Sequence, residues 1–140
     1  YNLFAMATVG SAIQRPLAVM MSRQILSVGP DAPVIEAART MQEAKVGALL
    51  VAEGPRYLGI VSESDLVRRV LAVGSDVNHV RVADVMQAPI ITIESDRSAH
   101  EASDLMAERG IRHLAVTEGG TIAGMLSVRD LLRYFKNWGG

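Results

Sequence analysis

The sequence predicts an α/β (α+β) fold in which one small unit occurs twice. The first observation behind this prediction is an internal repeat. Residues 21–68 align without a gap on residues 86–133, with roughly a third of the pairs identical. The second observation is that strand-like and helix-like stretches alternate in the same order in both copies. A duplication of this quality means that a site in one repeat should have a counterpart in the other.

Each repeat opens with a short apolar turn that ends in Met, followed by a β-branched stretch that predicts a strand. These stretches are residues 17–21 and 25–28 in the first repeat, and residues 82–86 and 90–93 in the second. A helix with small residues on one face comes next. In the second repeat we expect Ser95 or Asp96 to cap this helix, because both side chains can accept from a free helical N–H.

The rest of each repeat predicts two strands and a closing helix. A glycine turn, Gly54-Pro55 or Gly119-Gly120, separates the two strands. The strands are residues 48–52 and 58–61 in the first repeat, and residues 114–116 and 122–126 in the second. The order β-α-β-β-α predicts helices on one face of a small sheet. Residues 72–81 read as a polar connector.

The repeats predict two domains, at residues 14–73 and 80–136. Residues 1–13 precede the first repeat and are expected to be an extension, either native or added for expression, since residue 1 is Tyr. Either repeat alone is near the size at which a single core becomes marginal, so we expect the two to form one module.

Composition excludes several function classes. The chain has 14 basic and 15 acidic residues, a net charge of −1 that gives no electrostatic reason to expect a nucleic acid or membrane partner. No apolar run approaches the ~20 residues of a membrane span. The chain has no cysteine, which excludes disulfides and thiolate chemistry and fits a cytoplasmic location. His79, His100 and His113 are scattered, so we expect no metal site.

The candidate site is the motif Gly-h-h-Ser-x-x-Asp, in which h is apolar, at residues 59–65 and 124–130. One interpretation is structural: Ser-x-x-Asp is close to a capping box at the start of a helix. The other is functional. Free N–H groups at a helix start and a Ser hydroxyl suit a phosphate, and an Asp beside them can accept from the hydroxyls of a ribose. Ribose and phosphate together indicate a nucleotide.

The two copies differ in charge beside the motif. Arg112 and His113 open the middle strand of the second repeat, where the first repeat has Gly47 and Ala48. An Arg-His pair at the start of an apolar strand needs a polar partner, and a phosphate is a natural one. The two copies of the site are therefore not expected to be equivalent.

These residues resemble a tandem pair of CBS (cystathionine-β-synthase) domains, also called a Bateman module, over about residues 14–136. The resemblance rests on the two Gly-h-h-Ser-x-x-Asp motifs, on Val-Gly-Ala-Leu-Leu-Val (46–51) and on Ile-Arg-His-Leu-Ala-Val (111–116). The asymmetry of these strands is similar to that of small stand-alone bacterial CBS-pair proteins. The resemblance implies two repeats related by a pseudo-twofold axis and packed through their sheets.

The resemblance also implies clefts that bind an adenosine-containing ligand: AMP, ADP, ATP, NAD(H) or S-adenosylmethionine, with no metal required. It implies that Asp65 and Asp130 bind ribose. Phosphate would be bound by Ser62, Ser127, Arg112, His113 and Arg129, with Arg112 and His113 of the second repeat closing on the phosphate beside Ser62. The first adenine slot would be lined by Ile60, Val61, Ile91 and Thr92, and the second by Met125, Leu126, Ser27 and Ala48. This chain departs from the family in having Ser64 before the first Asp, while Arg129 precedes the second.

Three hypotheses follow, led by a regulatory nucleotide sensor without catalysis. Apolar residues on the closing helices (Leu66, Val70, Leu131 and Phe135) predict a homodimer, and the regulated protein is not identified by the sequence. The first alternative is a ligand-free structural or dimerisation module of a larger protein. The second is an enzyme, but no catalytic residue can be assigned, because neither motif serine has an evident base and no phosphate-binding loop motif occurs.

Overall fold

Two three-stranded sheets organise residues 15–139, the part of the chain that this computed structural model describes. Each sheet comes from one repeat, and both repeats follow the predicted order β-α-β-β-α. The predicted extension, residues 1–13, lies outside the described residues.

The first sheet has the order β1-β2-β3. Strand β1 (Ser27–Val28) pairs in parallel with β2 (Ala48–Glu53), and helix α1 (Val34–Ala44) connects them. Strand β3 (Arg56–Ser62) pairs antiparallel with β2. Helix α2 (Glu63–Leu66) begins directly after β3 and continues as a π-helical turn, Val67–Leu71.

The second sheet repeats this topology with the order β4-β5-β6. Its elements are β4 (Thr92–Glu94), α4 (Ala99–Arg109), β5 (His113–Glu118), β6 (Thr121–Ser127) and α5 (Val128–Tyr134), the last continued by a π-helical turn, Phe135–Gly139. Two short helical turns precede the first strands: a 3-10 turn (Leu17–Val19) before β1, and α3 (Val82–Val85) before β4.

The segment that opens each repeat pairs with the sheet of the other repeat. Ser22 and Met125 exchange two backbone hydrogen bonds of 2.8 Å each, and Gln87 and Ile60 do the same at 2.8 and 3.0 Å. Residues 25–91 therefore form one compact unit, here called the first-sheet unit. Residues 15–24 and 92–139 form the second-sheet unit. These units differ from the sequence repeats, which group each opening turn with the strand that follows it.

Buried aliphatic residues fill the first-sheet unit. Its core contains Val28, Val34, Ala37, Met41, Leu49, Val51, Val61, Val70, Val82 and Val85. The predicted polar connector contributes to it, because Val77 and Val80 pack against this core. Their carbonyl oxygens also accept from Ile35 N–H at 3.1 Å and Val34 N–H at 2.9 Å. These bonds satisfy the first turn of α1, whose N-cap is Pro33 and has no side-chain cap.

Helix α4 begins differently, and the predicted cap was wrong. Ser98, rather than Ser95 or Asp96, is the N-cap. Its Oγ accepts from Glu101 N–H at 3.1 Å, and Ser98 N–H donates to Glu101 Oε1 at 3.2 Å. Ser95 lies in the preceding turn, where its N–H donates to the carbonyl oxygen of Thr117 at 2.8 Å. Within residues 15–139, no helix is long and apolar enough to cross the lipid bilayer.

Candidate functional site

The first motif is a complete capping box at the junction of β3 and α2. Ser62 N–H donates to Asp65 Oδ2 at 2.9 Å, and the Ser62 hydroxyl donates to the same oxygen at 3.0 Å. In return, Asp65 N–H donates to Ser62 Oγ at 3.3 Å. The structural interpretation of Ser-x-x-Asp is thus confirmed for this copy.

The second motif has the same geometry at the junction of β6 and α5. Ser127 N–H and the Ser127 hydroxyl donate to Asp130 Oδ2 at 2.8 and 3.1 Å, and Asp130 N–H donates to Ser127 Oγ at 3.2 Å. In both motifs the capping role uses Oδ2 of the aspartate. Oδ1 is the oxygen that remains for other partners.

Asp65 Oδ1 already has partners inside the first-sheet unit. Gln87 Nε2 donates to it at 3.0 Å, and Arg69 Nε lies 3.9 Å from it. The guanidinium of Arg69 also donates to the carbonyl oxygen of Val85 at 3.4 Å, which holds the side chain beside the motif. As a result, only 7% of the Asp65 side chain is exposed.

Asp130 is more open. Its Oδ1 contacts Arg133 Nη1 at 3.5 Å, a long contact from a side chain that is 65% exposed. The Asp130 side chain is itself 19% exposed. The residue that corresponds to Gln87 in the repeat alignment is Ser22, whose Oγ accepts from Gln24 N–H at 3.3 Å. The two carboxylates therefore differ in their partners although their capping boxes match.

The glycine of each motif marks a close approach of the backbone. A Cβ on Gly59 would lie 2.6 Å from the carbonyl oxygen of Gln87, and a Cβ on Gly124 would lie 2.6 Å from that of Ser22. Real Cβ atoms essentially never approach so closely. Glycine is needed at these positions because the opening segment of the other repeat passes directly over the strand.

The middle strand brings basic residues to the second motif, where the first repeat has Gly47 and Ala48. Val128 N–H donates to the carbonyl oxygen of Arg112 at 2.9 Å, and His113 pairs with Ser127 across β5 and β6. Arg112 and Arg129 are both exposed. At the matched place in the first motif, Glu63 N–H donates to the carbonyl oxygen of Gly47. Arg112 and His113 thus flank Ser127, and their expected contact with a phosphate held by the first motif stays a prediction.

The expected base-lining residues differ in exposure. Val61 and Leu126 have no exposed surface, so any contact that they make with a base would come from the backbone. Ile60, Ile91 and Met125 are half-buried, Ala48 is buried, and Ser27 and Thr92 are exposed. The second expected slot draws Ser27 and Ala48 from the first-sheet unit and Met125 and Leu126 from the other, and it stays a prediction.

Two site residues were missed by the sequence reasoning. Gln87 and Arg69 contact Asp65, yet neither belongs to the repeated motif. The repeat alignment does place Gln87 opposite Ser22. That difference points to the site only once the opening segments are known to lie over the motifs. Among residues 15–139, no three acidic or histidine side chains are grouped so that they could bind a metal ion.

Sequence comparisons identify the family. The CBS-domain family model matches residues 17–72 and 82–137. The chain is 31% identical over 111 residues to the CBS domain-containing protein YhcV of Bacillus subtilis, covering 79% of each protein. It is 32% identical over 113 residues to an uncharacterized protein of Methanopyrus kandleri, covering 79% of this chain. The chain spans only 58% of the length of that archaeal relative.

Solved structures agree with the sequence comparisons. A protein from Burkholderia ambifaria, described as a signal-transduction protein with CBS domains, superposes with a TM-score of 0.77 at 36% identity. The match covers 80% of this chain and 82% of that one. A hexameric CBS-CP12 protein from bloom-forming cyanobacteria superposes with a TM-score of 0.80 at 29% identity, covering 91% of this chain and 77% of that one. With two matched domains and the predicted fold in both repeats, the chain belongs to the CBS-domain family as a tandem CBS pair.

Proposed function

We propose that this CBS pair is a regulatory module that binds an adenine nucleotide and signals by a conformational or dimer change, without catalysis. The candidate ligands are AMP, ADP, ATP and NAD(H), with S-adenosylmethionine as a further possibility. The observation that carries the proposal is the carboxylate of Asp130. It lies in the first turn of α5, is partly exposed, and has one oxygen without an amide partner within residues 15–139.

A ribose is the part of a nucleotide that this carboxylate suits best. Oδ2 of Asp130 is held by Ser127, so Oδ1 is fixed in position and can accept from vicinal hydroxyls. Hydrogen bonds to a charged group contribute about 1.5–3 kcal/mol each. Fixing the acceptor beforehand reduces the entropy lost on binding. Asp65 holds the corresponding position in the first motif.

Arginines are the proposed phosphate ligands of the second motif. Arg112 and Arg129 are both exposed. Arg129 follows Ser127 by two residues, and Arg112 is placed beside Ser127 by the backbone bond from Val128 N–H to the Arg112 carbonyl oxygen. A guanidinium can bind a phosphate through two parallel hydrogen bonds. The proposed roles of Ser62 and Ser127 are weaker, because both hydroxyls donate to the neighbouring aspartate. His113 is retained as a proposed phosphate residue beside Ser127.

Self-association is proposed as the route by which binding is read out. The homodimer expectation named Val70 and Leu131, but both are buried in the structure. Among the closing-helix side chains that the structure describes, the exposed apolar residues are instead Val67, Leu71 and Leu132. Exposed apolar groups of this kind favour an interface between copies, and the cyanobacterial CBS-CP12 protein is hexameric. A nucleotide that binds one associated form more tightly than another would shift the equilibrium between these forms, and a regulated protein that prefers one form would do the same.

A thermal-shift panel tests the proposal. The ligands are AMP, ADP, ATP, NAD, NADH and S-adenosylmethionine, with GTP as the control. A ligand at 100 times its dissociation constant adds about 2.7 kcal/mol to the free energy of unfolding, which corresponds to several degrees in a protein of this size. A rise in Tm with an adenine ligand, and none with GTP, supports the sensor.

The alternative is a ligand-free structural or dimerisation module. The complete capping boxes favour it, because each motif already has a role in starting a helix. Under this alternative no nucleotide changes the Tm. That result would end the sensor proposal and direct attention to the protein with which the module associates.

A further inference from the structure

We propose that Gln87 closes the first motif to ribose, so that the chain binds one nucleotide, at Asp130. This inference rests on the proposed function and assigns it to one of the two motifs. Residue 87 then determines whether the first motif can bind a nucleotide, and residue 22 determines this for the second motif.

The backbone fixes where the Gln87 side chain lies. Ile60 N–H donates to the carbonyl oxygen of Gln87 at 3.0 Å, and Gln87 N–H donates to that of Ile60 at 2.8 Å. Ile60 is two residues before Ser62, so this pair places Gln87 beside the motif. From there its side-chain amide reaches Asp65 Oδ1 at 3.0 Å.

Asp65 consequently has little capacity left for a ligand. Ser62 occupies Oδ2 through two hydrogen bonds, while Gln87 and Arg69 engage Oδ1. A ribose hydroxyl would have to replace the side-chain amide of Gln87 as the donor to Asp65. Because that amide is part of the same chain, its effective concentration beside Asp65 is very high. Replacing one such bond with another gains little free energy, because the number of bonds to the carboxylate does not rise.

The second motif has the same backbone arrangement but a shorter side chain. Ser22 and Met125 exchange two backbone bonds of 2.8 Å, as Gln87 and Ile60 do. The Ser22 hydroxyl accepts from Gln24 N–H and makes no bond to Asp130. Within residues 15–139, the side-chain partner of Asp130 Oδ1 is Arg133 at 3.5 Å, and exposed ion pairs of this kind are weak. A ribose can therefore displace it easily.

A reciprocal swap tests the role of these two positions. Ser22→Gln puts the long amide over Asp130, and Gln87→Ser removes it from Asp65. Both residues are exposed, and both make their pairing through the backbone, so the substitutions leave the fold intact. Ser22→Ala is the matched control, since it changes the same position without adding an amide. Asp130→Asn removes the carboxylate that is proposed to bind the ribose.

Isothermal titration calorimetry with AMP and with ATP on the 140-residue chain gives the readout, after the Tm of each variant has shown that it is folded. We expect one site per chain in the parent and in Ser22→Ala. We expect affinity to fall by about tenfold or more in Ser22→Gln and Asp130→Asn, as for loss of a charged hydrogen bond. In Gln87→Ser we expect a second site to appear.

The outcomes separate this inference from the proposed function. Two sites in the parent, binding by Ser22→Gln equal to that of Ser22→Ala, or no second site in Gln87→Ser would each overturn the role of Gln87 while leaving nucleotide binding in place. Retained binding in Asp130→Asn would overturn the assignment to the second motif. If neither AMP nor ATP binds the parent or any variant, the proposed function fails and this inference fails with it.

Discussion

A Cβ atom on Gly124 would lie 2.6 Å from the carbonyl oxygen of Ser22, a residue of the segment that opens the first repeat. The same relationship joins Gly59 to Gln87. The glycine of each Gly-h-h-Ser-x-x-Asp motif is thus explained by packing and not by ligand chemistry. Each motif is completed by a segment that the sequence assigns to the other repeat.

Gly124→Ala should destabilise the protein by about 1–3 kcal/mol, the usual cost of overpacking. The added methyl group meets backbone, which can move only if the paired bonds between Ser22 and Met125 lengthen. Gly29→Ala is the control, because no atom lies within 4 Å of its added Cβ. Urea unfolding measures both variants. Equal unfolding midpoints for the two would show that the close approach is not maintained in solution.

Leu17→Ala should destabilise the second-sheet unit in particular. Leu17 has no exposed surface, and its N–H donates to the carbonyl oxygen of Arg97, so it packs with residues 92–139 although it lies in the opening turn of the first repeat. Truncating a fully buried leucine costs about 2–5 kcal/mol. Hydrogen exchange should quicken in α4 and β5 and leave α1 and β2 unchanged.

Val19→Ala is the matched control for Leu17, because Val19 lies in the same 3-10 turn and is 62% exposed. It should leave exchange unchanged in both units. Faster exchange of α1 and β2 in Leu17→Ala would contradict the placement of the opening segment in the second-sheet unit.

Leu132→Lys should weaken self-association. Leu132 is 64% exposed on α5, and its counterpart in the first repeat, Val67, is 54% exposed on the π-helical turn after α2. A lysine in an apolar interface loses hydration without gaining a partner, so the dissociation constant should rise about tenfold or more, equal to about 1.4 kcal/mol. Sedimentation velocity over a range of concentrations measures it. Val19→Lys is the control, and an unchanged distribution for Leu132→Lys would exclude this face from the interface.

The sequence was sufficient to predict the elements of the fold, because each depends on local patterns. The helices at Val34–Ala44 and Ala99–Arg109, the paired strands after them and both Ser-x-x-Asp caps follow from periodicity, glycine turns and capping. Strands β1 and β4 are shorter at their starts than predicted, because only Ser27–Val28 and Thr92–Glu94 pair with the middle strands. Ser98-x-x-Glu101 was a readable cap that the prediction overlooked.

The exchange of the opening segments could not be predicted in the same way. It depends on pairing between Ser22 and Met125 and between Gln87 and Ile60, residues far apart in the chain with no shared local pattern. The contact between Gln87 and Asp65 follows from that exchange, so it was also out of reach. The closing helices show the same limit. Val70 is buried, whereas Val67, three positions before it, is exposed. Leu131 is buried, whereas Leu132, the next residue, is exposed.

Acid should destabilise the second-sheet unit through Glu94, and Thr117 sets the pH at which it does so. The carboxylate of Glu94 accepts from the Thr117 hydroxyl and from Gly119 N–H. These bonds, the one from Thr117 first, lower the pKa of Glu94 from its usual 4.5. A lowered pKa in the folded state gives stability that is present above the unfolded value and lost as the pH falls through the folded value. The hairpin between β5 and β6 should therefore weaken below about pH 4.5.

Thr117→Val removes the hydroxyl at nearly constant volume, so it should raise the pKa of Glu94 toward 4.5 and reduce the pH dependence of unfolding in acid. Thr117→Ser is the matched control, since it keeps the donor and should keep the low pKa. A carboxyl carbon-13 NMR titration follows Glu94 directly, and urea unfolding at pH 7 and at about pH 3.5 follows stability. If Glu94 titrates alike in the valine and serine variants, the Thr117 hydroxyl is not the main cause of the lowered pKa, and Gly119 N–H would take its place.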